Sequence, residues 1–242
     1  MIHERQKHTK VFFGWWTVFY TGIVSGLGHG FYGYGFSVFF KDLAAELGLS
    51  RAITSIGSGI GRLEGGIESA PAGWLADRFG PRWVIFIGII STGCALILMN
   101  FVYAVWAYFL VWGFLMGTGL NLGLTVTVDK TIINWFIRKR GLAQGIKFAL
   151  LGIGSVVAVP VVTWLVTNFE WRTTCLIWGF VLLACAPFAL VFVKSKSPEH
   201  YGLLPDGALV DVGLKADIES LIAQGTQYAA SFDETEYTFK QA

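Results

Sequence analysis

The chain has 242 residues, of which 54% are apolar and only 14% are charged. Soluble domains carry about a quarter charged residues, so this composition leaves too little polar surface for a water-exposed globule. The formal charge of +2 is uneven, because residues 195–242 hold 8 of the 16 acids and 3 of the 18 bases. The other bases are scattered between long apolar runs, which indicates membrane topology and not nucleic-acid binding.

Six apolar segments follow one another along the chain, and most have the about 20 residues that a helix needs to cross a bilayer. Strands are disfavoured because lipid cannot satisfy an open sheet edge. The sequence therefore predicts an all-α, polytopic membrane protein. Its helices are expected at approximately 11–40, 52–76, 83–101, 103–128, 141–167 and 173–193. We expect residues 1–194 to form the bundle and residues 195–242 a cytoplasmic loop or tail, with a short amphipathic helix within 214–224.

Lysine and arginine residues predict the orientation of these helices. Ten of the 18 flank one side of the proposed membrane and three flank the other. The positive-inside rule then places both termini in the cytoplasm, as an even number of spans requires. The predicted location is the plasma (inner) membrane. The first apolar run is too long for the core of a signal peptide, so we interpret it as a retained helix.

Residues with catalytic or metal-binding chemistry form no recognisable set. Cys94, Cys175 and Cys185 lie in apolar runs without CxxC spacing or nearby histidines, which is typical of buried, inert thiols. The sequence has no nucleophile with a base and no phosphate-cradling loop. We therefore expect neither an enzyme nor a metal or cofactor site.

The most specific motif is Gly73-Trp-Leu-Ala-Asp-Arg-Phe-Gly-Pro-Arg82, between the second and third apolar segments. Gly73 permits close approach of another helix, and Gly80 supplies a tight turn. Asp77 is a fixed negative charge suited to cap a neighbouring helix N-terminus. Arg82 can bridge to an acid on an adjacent helix, for which Asp129 is the candidate.

This string resembles the signature loop of the major facilitator superfamily, although Pro81 stands where many members carry a basic residue. Residues 36–52, 134–145 and 197–207 are similar to the monocarboxylate and oxalate/formate-like branches, and residues 237–242 resemble the lead-in to a seventh helix. The resemblance implies one half of a 12-helix fold, whose C-terminal six-helix half is missing from this chain. It also implies a conformational latch formed by Gly73, Asp77, Arg78, Gly80, Arg82 and Asp129. The alternative is an ordinary basic hairpin.

The function that the resemblance implies is secondary transport by alternating access. The expected cargo is a small organic anion such as a monocarboxylate, with coupling to protons. Gly113 occupies a position where many members carry an arginine, so that arginine's proton-coupling role does not transfer. The alternative is a truncated or split half-transporter that has no activity alone and acts as a partner subunit.

Charged residues inside the membrane are costly, so they normally face a cavity or a partner. Glu64 and Glu68 share a helix face, an arrangement of neighbouring carboxyls that we expect to suit proton uptake. Arg62 points to the opposite side. The structural alternative is an ion pair of Glu64 with Lys147. Lys147 and Arg62 are also candidate counter-charges for an anionic substrate.

Helices 1 and 4 add further candidates, because in the family they line the cavity. His29 and Tyr32 lie in the first segment, and Asn121 and Thr125 share a face of the fourth. A neutral imidazole can bind substrate or relay a proton. A histidine that merely bonds a neighbouring helix is the equal alternative, and the others are expected substrate contacts.

Overall fold

The computed structural model describes residues 11–208 and 218–231, and within these ranges it contains no strand, which confirms the all-α class. Two short 3₁₀ turns, Pro198–Tyr201 and Pro205–Gly207, lie in the polar segment. The α-helices are α1 (Phe13–His29), α2 (Phe36–Glu46), α3 (Arg51–Phe79), α4 (Pro81–Met99), α5 (Val105–Tyr108), α6 (Met116–Thr118), α7 (Thr127–Trp135), α8 (Arg140–Phe192) and α9 (Ile218–Ala230).

Wide π-helical turns join several helices without a break. Gly30–Gly35 connects α1 with α2, while Phe109–Leu115 and Gly119–Val126 connect α5, α6 and α7. Such turns are rare in proteins, and many of those that occur lie at functional sites. They produce one continuous rod over residues 13–46 and a second over Val105–Trp135, called here the α5–α7 rod.

Local chemistry sets the limits of α3 and α4. The Ser50 hydroxyl caps α3 by accepting a hydrogen bond from the Ile53 N–H at 3.3 Å. Gly80 separates the two helices with a positive φ of 84°, a conformation that favours glycine. Pro81 then occupies the first turn of α4, where its missing N–H costs no hydrogen bond. Pro81 therefore has a structural reason to differ from the family pattern.

The long helix α8 is a hairpin of two antiparallel halves. Its backbone leaves the helical conformation at Glu170, where φ is 65° and ψ is 163°. Before this break α8 runs in the direction of α1, since Leu150 meets Gly22 and Gly154 meets Gly26. After it the direction is opposite, because Trp178 donates to the Leu27 carbonyl and the Tyr20 hydroxyl donates to the Cys185 carbonyl. The reversal lies between the two segments that the sequence predicts at 141–167 and 173–193.

The other helices also have defined directions. α3 runs parallel to the α5–α7 rod, since Gly57 faces Tyr108 and Gly73 faces Lys130. α4 is antiparallel to that rod, because Gly88 meets Gly123 while the later Ser91 donates to the earlier Leu115 carbonyl.

Glycine allows the closest contacts between these helices. A Cβ on Gly154 would lie 2.8 Å from the Gly26 Cα, and one on Gly179 would lie 2.8 Å from the Gly93 carbonyl oxygen. The first contact packs the first half of α8 on α1, and the second packs the second half of α8 on α4. Such close backbone packing is common in membranes, where the hydrophobic effect does not drive helices together.

Among the described residues, three helices are long and apolar enough to cross a membrane: Pro81–Met99, Val105–Trp135 and Arg140–Phe192. The last of these contains the hairpin. α1 alone has 17 residues before its π turn. α3 carries Arg62, Glu64 and Glu68 together with many glycines, which lowers its hydropathy. The six predicted spans are thus not all evident from length and composition.

Arg172 ties together the bundle end opposite Gly80. Its guanidinium donates to Glu46 at 2.7 and 2.9 Å and to the carbonyls of Asn100 and Val102 at 2.6 and 2.7 Å. Trp171 also donates to Glu46, at 2.8 Å. We call these residues the Arg172 cluster. It joins the end of α2, the α4–α5 loop and the break in α8, and it satisfies loop carbonyls that have no helical partner.

The Arg172 cluster predicts how stability depends on pH. Burial of Glu46 disfavours its ionisation, but hydrogen bonds from Arg172 and Trp171 outweigh burial, so the pKa of the Glu46 carboxyl lies below its ordinary value. A lowered pKa adds stability above the unfolded pKa, and that stability is lost as the pH falls through the folded value. Because the Glu46 side chain is 41% exposed, we expect Glu46→Gln to cost only about 1 kcal/mol, or about 3 °C, at pH 7.

Thermal unfolding in detergent between pH 3 and pH 7 checks this. The difference between wild type and Glu46→Gln should shrink as the wild-type carboxylate is protonated. The matched control is Asp42→Asn, which changes an exposed carboxylate of the same helix. A difference that stays constant down to pH 3 would contradict the linkage.

Candidate functional site

Two groups of polar side chains lie in the described part of the bundle. The first surrounds the α3–α4 turn, between Gly73 and Arg82, at the end where the basic residues concentrate. The second lies inside the bundle, between α1, the α5–α7 rod and the first half of α8.

Asp77 binds Lys130 of α7. The distance from Lys130 Nζ to Asp77 Oδ1 is 2.6 Å, and Lys130 also donates to the Gly73 carbonyl at 3.0 Å. The sequence predicts that Asp77 caps a helix N-terminus; in the described structure its partner is a lysine. The side chains of Lys130 and Asp77 are 30% and 70% exposed, so this pair contributes little to stability.

Arg82 does not pair with Asp129, contrary to the sequence prediction. Asp129 binds Lys147, and the Arg82 Nε is buried without a hydrogen-bond partner among the described residues. Lys147 is the more deeply buried of the two cations, so leaving it without a counter-charge would cost more. Arg78 is exposed, and its guanidinium lies 5.2 Å from the centre of the Trp74 ring.

A polar cavity of about 170 Å³ lies beside the Asp77–Lys130 pair. Asn134 of α7 and the polar residues Ser195 and Lys196 line its other walls. The cavity therefore places the α3–α4 turn next to the start of the polar segment.

The most deeply buried charge in the described structure belongs to Lys147. Its side chain is 1% exposed, and its Nζ lies 2.8 Å from Asp129 Oδ1, whose side chain is 31% exposed. The Nζ also lies 4.1 Å from the centre of the Phe148 ring, which adds a cation–π contact. Asp129 thus neutralises a cation that the bundle interior could not otherwise hold.

His29 lies between two oxygen partners. Its Nδ1 is 3.1 Å from the Ser25 carbonyl, and its Nε2 is 3.1 Å from the Thr125 hydroxyl. The Thr125 hydroxyl also lies 3.2 Å from the Leu120 carbonyl. A carbonyl only accepts, so Nδ1 carries a proton and donates to Ser25.

The single hydroxyl proton of Thr125 then has two possible acceptors. With a neutral His29 it is donated to Nε2. With a protonated His29, Nε2 donates to the Thr125 oxygen and the hydroxyl turns to the Leu120 carbonyl. This arrangement can accept a proton by hydroxyl rotation alone. Thr125, which bonds His29, lies four residues before Asp129 in the same rod, and the charges of Asp129 and Lys147 act on His29 electrostatically.

The remaining predicted residues that the structure describes have other neighbours. The Tyr32 ring is 5.1 Å from the Trp112 ring, and Asn121 lies opposite Gly65 of α3. Glu68 has one carboxylate oxygen buried without a hydrogen-bond partner.

Arg62 and Glu64 belong to α3, but their side chains lie outside the described residues, so their predicted roles stay predictions. Among the described residues no group of histidine, cysteine, aspartate and glutamate is arranged to hold a metal ion.

Comparison with known proteins assigns the chain to a family. A family model described as Major Facilitator Superfamily matches residues 12–230. The chain belongs to the Major Facilitator Superfamily. This confirms the resemblance drawn from the motif at Gly73–Arg82. It also identifies an integral membrane protein of a transporter family rather than an enzyme.

Individual relatives support the monocarboxylate-transporter-like branch. "Monocarboxylate transporter 13" of Bos taurus is 30% identical over 170 residues, which cover 67% of this chain and 39% of that protein. "Probable sulfoacetate transporter SauU" of Cupriavidus necator is 29% identical over 144 residues, covering 59% and 33%. "Uncharacterized MFS-type transporter YcxA" of Bacillus subtilis is 25% identical over 188 residues, covering 77% and 45%. The chain thus spans less than half the length of these relatives.

Sequence reasoning did not identify several residues of the two polar groups described above. Nothing in the spacing of Lys130 indicates its partner Asp77. Ser25 contributes only a backbone carbonyl, which no residue pattern indicates. Gln144, whose side-chain amide lies 3.5 Å from the Asp129 carbonyl, belongs to no pattern that would indicate this contact.

The Lys147–Asp129 pair generates a prediction for stability. Asp129→Asn leaves a buried, unpaired lysine, so we expect it to cost about 3 kcal/mol. Lys147→Met should cost less, since Asp129 is partly exposed. The double variant should cost less than the sum of the two, with a coupling free energy of about 2 kcal/mol. Thermal or denaturant unfolding in detergent provides the measurement.

The matched control is Asp77→Asn, which breaks the exposed pair with Lys130. That substitution should lower the free energy of unfolding by less than about 1 kcal/mol, because exposed ion pairs contribute about 0–1 kcal/mol to stability. If the effects of Asp129→Asn and Lys147→Met simply add, the pair does not have the buried, mutually dependent character described here.

Proposed function

We propose that this chain forms the N-terminal half of a secondary transporter that carries a small organic anion, with a proton as the coupled ion. The observation that carries the proposal is the buried Lys147, whose charge is balanced by Asp129 within electrostatic range of His29. Two relatives are named for monocarboxylates and for sulfoacetate, both of which are carboxylate anions. A buried ammonium suits such a cargo because it can exchange one carboxylate partner for another.

The proposed topology has six membrane-spanning segments with both termini in the cytoplasm. The directions of the described helices support it, since α3 runs against α4, α4 against the α5–α7 rod, and the two halves of α8 against each other. The concentration of lysine and arginine at the Gly80 end supports the orientation. In this topology the C-terminal six-helix half would complete the substrate path, and the two halves would rock around a site between them.

The proposed coupling begins with proton uptake by His29. The proton turns the Thr125 hydroxyl from Nε2 to the Leu120 carbonyl and leaves a positive charge in the neighbourhood of Asp129 and Lys147. Added positive charge favours entry of an anion, and the anion in turn stabilises the imidazolium. Proton and anion therefore each favour the binding of the other. Glu64 is a second candidate proton acceptor on the grounds of its sequence position.

Transport by reconstituted protein tests this function. Proteoliposomes containing the chain together with its C-terminal half would be given labelled lactate or labelled sulfoacetate. We expect an inward proton gradient to accelerate wild-type uptake about tenfold or more. His29→Gln should lose most of this stimulation, since it cannot become charged, but should keep exchange of internal for external anion.

The matched control is His200→Gln, which changes an exposed histidine in the polar segment. It should keep the wild-type dependence on the proton gradient. Wild-type uptake that does not depend on the proton gradient would contradict proton coupling. Absence of uptake for both anions would contradict the proposed cargo.

A second candidate function is that of a partner subunit without transport activity of its own. It is the alternative that the sequence analysis left open for a chain that spans less than half the length of these relatives. Proteoliposomes with the chain alone discriminate the two functions. Uptake by the chain alone would exclude the subunit role, and absence of uptake by the chain alone would support it.

A further inference from the structure

Asp206 occupies a site made of backbone amides. Its carboxylate accepts hydrogen bonds from the N–H groups of Ile137, Arg138 and Lys139, at 3.1, 2.7 and 2.9 Å. These three amides belong to the loop between α7 and α8 and lie directly before the first turn of α8. Consecutive amides of this kind form a concave binding site for an anion, and the helix dipole strengthens it.

The Asp206 side chain is buried and accepts a fourth hydrogen bond. Asp206 is only 7% exposed, and it has a left-handed φ of 60°, a conformation that aspartate tolerates better than most residues. The Tyr228 hydroxyl of α9 donates a fourth hydrogen bond at 3.3 Å. Burial and the adjacent Asp206 carboxylate raise the pKa of Tyr228 above its ordinary value, so its hydroxyl stays protonated as a donor.

The segment that carries Asp206 also contacts other elements at the same end of the bundle. Ser195 packs on Gly80 in the α3–α4 turn, and Gly207 packs on the Phe12 ring before α1. The Tyr201 ring lies 6.2 Å from the Trp135 ring at the end of α7. One short stretch of chain therefore reaches the start of α1, the α3–α4 turn and the α7–α8 loop.

We propose that residues 194–207 form a clasp that closes the basic end of the six-helix unit, with Asp206 in the amide site as its lock. The four hydrogen bonds that Asp206 accepts attach this segment to the α7–α8 loop and to α9. The clasp holds the α3–α4 turn and the α7–α8 loop in a fixed relation, and it opens as one unit when Asp206 leaves. This device differs from the latch motif, which uses Asp77 and the arginines.

Hydrogen exchange of the full chain in detergent or nanodiscs tests the clasp. Asp206→Asn keeps the size and the tolerance of positive φ but loses the charge and one acceptor oxygen. We expect the amides of residues 137–139 to exchange about tenfold faster. Because the clasp opens as a unit, the amides around Gly80 and Phe12 should also exchange faster, while those of α4 and α1 further inside stay unchanged.

Two variants keep the test decisive. Tyr228→Phe removes only the fourth hydrogen bond and should produce the same pattern with a smaller increase, even if Asp206→Asn folds poorly. Glu219→Gln, which changes an exposed carboxylate of α9, is the matched control and should leave exchange unchanged. Faster exchange confined to residues 137–139, or no change in either variant, would overturn the proposal of a clasp.

Discussion

The ion pair between Lys147 and Asp129 is the interaction on which the arrangement of the bundle interior depends. A lysine with 1% exposure needs a counter-charge at contact distance, and Asp129 provides it at 2.8 Å. This fixes the first half of α8 against α7, and α8 in turn packs on α1 through Gly26 and Gly154. His29 of α1 is thereby held within range of both charges. The same constraint that stabilises the buried charge thus assembles the proposed proton and anion site.

Polar ties close both ends of the bundle. At one end Arg172 donates hydrogen bonds to Glu46 and to the carbonyls of the α4–α5 loop. At the other end Asp206 accepts hydrogen bonds from the backbone amides of the α7–α8 loop. In both places one ionised side chain satisfies loop groups that have no helical partner, which is necessary where loops pack against an apolar bundle.

Much of the fold could be predicted from the sequence, because long apolar runs and the motif Gly73–Arg82 both have strong physical or family signatures. The helical class and the superfamily were predicted on this basis and are confirmed. The partners of individual charges were less predictable. The sequence predicted Asp129 as the partner of Arg82 and Glu64 as the alternative partner of Lys147, whereas the structure pairs Lys147 with Asp129, because residue spacing does not show which cation is buried. The π turns and the carbonyl of Ser25 also lie beyond residue patterns, since they depend on backbone geometry.

The central claim is that anion binding and proton binding support each other at the His29 and Lys147 site. Calorimetric titration of lactate into the chain paired with its C-terminal half, repeated in buffers of different ionisation enthalpy, measures this directly. The account predicts uptake of about one proton per bound anion near pH 7, falling towards zero in His29→Gln. Binding of the anion by wild type without any proton uptake would contradict it.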